Sequence, residues 1–90
     1  MDHGRHDIQT TPAAQKEIDR LPRQSRARVE AAIANLADDP RPQGARKLHG
    51  TVENTYRVRV GNYRVIYRIY DAELVVLIVR VGDRKDIYRP

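Results

Sequence analysis

The sequence predicts an α+β fold, an N-terminal strand and a helical hairpin packed on one face of a small, mainly antiparallel sheet. Three observations support this. Between residues 11 and 39 apolar side chains recur at i, i+4 and i+7, first as Ala14, Ile18 and Leu21 and again as Val29, Ile33 and Leu36, with Pro22 dividing the two stretches. Gly61-Asn62 separates two runs of alternating β-formers, the signature of a two-residue hairpin turn. The run "LVVLIV" at 74–79 is β-branched and far shorter than the roughly 18 residues of a membrane span, so it reads as a buried strand.

Taken in order, "DIQTT" at 7–11 is short enough for a first strand. Thr11 is placed to cap a helix that opens with Pro12 at its first position. Pro22 begins a second helix that ends at Asp38-Asp39-Pro40, with Arg23, Arg26 and Arg28 mostly off its apolar stripe. Each helix has a single apolar side, which must be buried against something else. The Pro- and Gly-rich segment 38–54 is expected to be a surface loop, anchored to the core by Leu48. The Gly61-Asn62 turn then fixes the hairpin register: Val60 faces Tyr63, Arg59 faces Arg64, Val58 faces Val65, Arg57 faces Ile66 and Tyr56 faces Tyr67. In this register Tyr56, Tyr63 and Tyr67 point to the helix-covered side. Residues 71–73 turn the chain into the apolar strand 74–81, expected to be central and covered on both faces over part of its length. "RKDIYR" supplies a last short strand or an extended tail.

Ninety residues suit one domain, spanning 1–90, with a modest core. Without cysteine there is neither a disulfide framework nor a thiolate metal site, and no leader-like apolar stretch opens the chain, so a soluble cytoplasmic protein is expected. His3, His6 and His49 are scattered, without metal-ligand spacing or a partnered nucleophile, and are expected at the surface; neither a metal nor a cofactor is called for. No Gly-rich phosphate loop or paired acids support nucleotide hydrolysis or glycosidase chemistry. The formal net charge of +5 and the isoelectric point near 10.0 favour nucleic acid or an acidic protein as partner.

That charge is concentrated in the hairpin "YRVRVGNYRVIYRIY", where Arg57, Arg59, Arg64 and Arg68 share one sheet face. Like charges placed across from one another cost about 0.2–1 kcal/mol each, and a sequence needing only solubility would mix signs. Solvated faces do carry charge, and Asp71, Glu73, Asp83 or Asp86 could fold over as counter-ions. The competing reading is an anion site, in which planar guanidinium forks on a rigid sheet grip phosphate oxygens of an RNA backbone. "RVGDRKDIYRP" adds Arg80, Arg84, Lys85 and Arg89 around Tyr88, a ring that can stack an unpaired base or pack at the edge of the core.

The order of elements, together with "TPAAQKEIDRLP", "DDPRPQGARKLHG", "YRVRVGNYRVIYRI" and "LVVLIVRVGDRKDIYR", resembles the RelE family within the RelE/ParE superfamily of toxin–antitoxin pairs. The resemblance covers almost the whole chain. It implies a RelE-like fold and a metal-independent endoribonuclease that cuts messenger RNA in the ribosomal decoding site by 2′-OH attack on the adjacent phosphate. It also implies a RelB-like antitoxin as partner, engaging through an acidic segment. By the same resemblance Arg64 contacts the reacting phosphate, Arg84 stabilises transition-state charge and protonates the leaving group, and Tyr88 stacks on the substrate base. Arg57 and Arg59 stand where relatives carry lysines, one of them proposed as general base. The expected chemical set is Arg59, Arg64, Arg84 and Tyr88, with Arg57, Arg68, Arg80, Lys85, Arg89 and Lys47 as RNA contacts. Two alternatives stay open: a ParE-like inhibitor of DNA gyrase that cuts nothing, and a catalytically weak homologue acting only in a repressor complex.

Overall fold

The computed structural model describes residues 5–83. Its elements are β1 (Asp7–Thr10), α1 (Pro12–Asp19), α2 (Arg23–Asn35), β2 (Arg46–Lys47), β3 (Thr55–Val60), β4 (Tyr63–Tyr70) and β5 (Val75–Asp83). The strands form one sheet in the spatial order β1-β5-β4-β3-β2. β1 runs parallel to β5, and the other neighbouring pairs are antiparallel.

Both helices begin where the sequence says they should. The Thr11 hydroxyl accepts the Ala14 N–H at 3.1 Å, filling one of the donor positions that a helix start leaves open, and Pro12 sits at the first helical position. Pro22 precedes α2 and offers it no side-chain cap, so this helix is held mainly by the face it buries. That face is Val29 and Ile33, with Leu36 just beyond. It joins Ala14 and Ile18 of α1 against Val65, Tyr67 and Ile69 of β4 and Val76, Ile78 and Val81 of β5. Leu21, Tyr56, Val58, Val60 and Tyr63 pack partly buried around this cluster.

The hairpin register is the expected one, from Val60 opposite Tyr63 to Tyr56 opposite Tyr67. Gly61 takes φ +60 while Asn62 stays at negative φ, the combination of a type II′ turn. The apolar run differs in two respects. Leu74 belongs to the turn, at φ +54 and exposed, so the strand starts at Val75. A bulge between the pairs Ile66–Arg80 and Tyr67–Ile78 leaves Val79 as an extra residue. Strict alternation from Val76 and Ile78 would aim Arg80 into the core; the bulge shifts the parity so that Val81 is buried and Arg80 is exposed. On the other face Val75, Leu77 and Val79 are half-buried.

The 38–54 segment is also more ordered than a surface loop. Arg46 and Lys47 pair with Arg57 and Tyr56 as a two-residue edge strand. Leu48 is half-buried, with its N–H donating to Thr55 O at 2.8 Å, and it is not the anchor. The anchor is polar. Tyr67, fully buried, donates its hydroxyl to Pro40 O at 2.7 Å, a bond whose net worth is about 1 kcal/mol. Its ring stacks on Tyr56 with centroids 6.1 Å apart. Arg41 bonds the Tyr56 hydroxyl at 3.1 Å and grips both Asp71 carboxylate oxygens at 2.9 and 3.3 Å. His6, expected at the surface, is buried with Nε2 3.2 Å from the same carboxylate. The loop, the N-terminal strand and the β4–β5 turn therefore meet at Asp71.

The hydrogen bond from Arg41, supported by that from His6, holds the Asp71 carboxyl below its ordinary range, and the same bond raises the Arg41 guanidinium further. A carboxyl whose folded pKa is depressed contributes stability above its unfolded value, near 3.8, and loses it as pH falls through the folded value. Asp71→Asn is therefore expected to lower the urea midpoint at pH 7, with the gap to the parent protein closing as pH drops below about 4. A gap of constant size across that range would show that the carboxylate charge contributes nothing.

Candidate nucleic-acid interface

Cross-strand partners in an antiparallel sheet share a face, so the register decides which arginines meet. Arg59 lies opposite Arg64, Thr55 opposite Arg68 and Arg57 opposite Ile66, all on the face turned away from the helices. On the other side of Arg57, β2 contributes Arg46 as its partner. The face is thus a ladder of guanidinium groups on extended backbone, with Ile66 as an apolar member among them.

These side chains are not equally wet. Arg57 is only 6% exposed, Arg64 and Arg68 are half-buried, and Arg59 is exposed. The Nε atoms of Arg57 and Arg68 are buried without a hydrogen-bond partner. A buried donor left unmatched costs about 1–3 kcal/mol, and more when it carries charge. Beside them a groove of about 270 Å³ opens between Gln43, Gly44 and Arg46 on one side and Arg57, Val58 and Arg59 on the other.

The structure brings together Arg57, Arg59, Arg64 and Arg68 of the expected site. It does not bring Lys47, which lies across from Tyr56 and so belongs to the opposite face from Arg57. Arg80 is drawn toward α1, its Nε and an Nη each 3.3 Å from a Glu17 carboxylate oxygen, while the other oxygen of Glu17 accepts the Val81 N–H at 2.8 Å. Glu17 thereby closes the edge of β5 that β1 is too short to cover. Arg84, Lys85, Tyr88 and Arg89 lie outside the described residues, as does His3. Of the counter-ions considered from sequence, Asp71 is engaged by Arg41 and His6. Arg46 was missed. Its only signal is strand parity, which requires knowing that residues 46 and 47 pair with β3. Among the described residues no His, Asp or Glu cluster of metal-binding geometry occurs, and no helix is long and apolar enough to cross a membrane.

Two helices lie on one side of a five-stranded sheet whose open face is cationic, and the comparisons with known proteins give this arrangement a family. A family model described as the ParE toxin of the type II toxin–antitoxin system parDE matches residues 8–88. Toxin RelG of Mycobacterium tuberculosis is 36% identical over 85 residues, covering 93% of this chain and 97% of its own length. Toxin RelE of the same organism is 33% identical over 89 residues, covering 98% and 90%. Among solved structures, the toxin–antitoxin complex RelBE2 of M. tuberculosis aligns with a TM-score of 0.76 at 31% identity, over 91% of this chain and 94% of that one. The archaeal RelE–RelB complex of Pyrococcus horikoshii OT3 aligns with a TM-score of 0.79 at 27% identity, over 90% and 97%. The chain belongs to the RelE/ParE family of type II toxin–antitoxin toxins.

Proposed function

We propose that this toxin is a ribosome-dependent mRNA interferase, held inactive by a cognate antitoxin whose acidic segment covers the helices or the arginine face. The observation that carries the proposal is the guanidinium ladder, and above all the unmatched buried Nε donors of Arg57 and Arg68 within it. Forks fixed on a rigid sheet suit phosphate oxygens, and such preorganised donors stabilise the extra negative charge of a phosphorane-like transition state. In the proposed reaction the ribose 2′-oxygen attacks the adjacent phosphorus, the bond to the 5′-oxygen breaks, and the products are a 2′,3′-cyclic phosphate and a 5′-hydroxyl. Arg64 contacts the reacting phosphate, Arg59 neutralises charge opposite it, Arg84 supports the leaving group and Tyr88 orients the base.

The proton of the 2′-hydroxyl is the harder requirement. Besides guanidinium and aliphatic groups the described ladder offers the hydroxyl of Thr55, which is engaged with Val52 O and is no base, and arginine is in effect never neutral. In this reading water, a phosphate oxygen or a ribosomal group accepts that proton, and the ribosome also holds the RNA in line for attack. This is a chemical reason for ribosome dependence. A second reading, a gyrase inhibitor that cuts nothing, is favoured by the ParE description of the matching family model. The deciding experiment is primer extension on mRNA-programmed ribosomes beside a gyrase supercoiling assay. Cleavage with unaffected supercoiling is the expected result; the opposite pair of outcomes selects the second reading.

Within the interferase reading, Arg59→Lys is expected to retain or increase cleavage and Arg59→Met to lose it. Lysine, with roughly one molecule in a few thousand neutral at pH 7, can also act as base, so the Lys variant should gain a new basic limb in its single-turnover pH profile. Equal inactivity of both variants would instead make the planar fork the essential property. Arg84→Ala is expected to abolish growth inhibition while the far-UV circular dichroism stays unchanged; full toxicity of that variant would remove Arg84 from the mechanism.

A further inference from the structure

We infer that the groove between residues 43–46 and β3 is a second phosphate subsite, built by Arg46 and Arg57, which takes the RNA phosphate next to the one held at Arg59 and Arg64. The inference rests on the reading of this face as an RNA site and adds the binding of a flanking phosphate to it. Arg57 and Arg59 lie two residues apart on one strand and on one face, about 6.8 Å along the chain. That step is suited to successive phosphates of an extended single strand. Each of the two meets another arginine across a strand pair, Arg46 for Arg57 and Arg64 for Arg59, so the ladder has two rungs with a pair of guanidinium forks at each.

The rung at Arg57 has the features of a built pocket. Arg57 is 6% exposed, it lines the groove, and its buried Nε has no hydrogen-bond partner. No carboxylate is among the lining residues, and Gly44, at φ +93, presents no side chain to the space. Gln43 adds an amide that can donate to an oxygen or a base edge. A dry cation with a spare donor, an exposed cation opposite it and room between them suit a dianionic or monoanionic phosphate better than a bulky apolar group. The two positions where relatives carry lysine thereby separate: Arg59 serves the reacting phosphate and Arg57 the flanking one.

The test uses purified toxin without ribosomes and 2′-O-methyl oligonucleotides, which cannot undergo the attack. A dinucleotide carries one internal phosphate and a trinucleotide two. In the parent protein the trinucleotide is expected to bind about tenfold tighter at low salt. Arg46→Ala, at an exposed position, and Arg57→Gln should each erase that gain and flatten the trinucleotide's dependence of log K on log salt by about 0.7 per lost phosphate contact. Arg64→Ala should weaken both ligands while preserving the gain. Persistence of the gain in Arg46→Ala and Arg57→Gln overturns the subsite, as does a groove that binds an acidic peptide or inorganic phosphate but shows no trinucleotide gain. Cleavage on ribosomes is scored separately. A gain lost in the variants, with no cleavage by the parent protein, would uphold the subsite and sink the interferase reading; cleavage without the gain would do the reverse.

Discussion

The register of the β3–β4 hairpin is the constraint on which the rest of the molecule depends. Gly61 supplies the positive φ that a tight turn between right-twisted strands requires, and pairing then propagates residue by residue from Val60–Tyr63 to Thr55–Arg68. A slip of one residue would invert one strand against the other, either sending Val65 and Tyr67 to solvent or carrying Arg57 and Arg59 under the helices. Burying even one uncompensated guanidinium costs several kcal/mol, against a total stability of roughly 5–15 kcal/mol for a domain of this kind. One turn thus separates an apolar face that folds from an open face that is cationic.

The same logic is enforced from the far side of the sheet. β5 packs on β4 and would lose its parity beyond Ile78, because the chain places Arg80 where a core residue is due. The bulge at Val79 restores the match by burying Val81, and Glu17 of α1 then accepts the Val81 N–H and engages the Arg80 guanidinium. Helix and strand are joined by a carboxylate that serves as both edge cap and counter-ion. The exposed Arg80–Glu17 pair itself contributes little; what matters is that a backbone donor at the open edge of β5 is satisfied.

A cationic ladder on a small domain is held in place by groups that do not belong to it. Tyr67 ties the 38–45 segment to the core through Pro40, and Arg41 fastens the same segment to Asp71 and Tyr56. This segment leads into β2, and β2 is what sets Arg46 across from Arg57. Burial raises the Tyr67 hydroxyl's pKa, so it stays a neutral donor to the Pro40 carbonyl through the physiological range. Stabilising contacts are thus concentrated on the helix side and the loop, where they offset the unmatched donors of the arginine face.

The sequence by itself determined the helices, the hairpin and the side on which its tyrosines and arginines lie. Each is a local matter: a capping threonine and prolines at defined positions, apolar spacing of 3.6 or 2, and a Gly-Asn turn. The family, too, was legible from motifs spread along most of the chain. What only the tertiary structure decided is long-range. Arg46 and Lys47 are adjacent cations in the sequence, and pairing with β3 alone puts the first beside Arg57 and the second on the other face. His6 looked like a surface residue until β1 docked beside β5 and placed it on Asp71, 65 residues away. Arg80 looked available until α1 supplied Glu17. In each case the partner comes from a distant part of the chain, and hydrophobic period or turn chemistry, which report only on neighbours in sequence, hold no information about it.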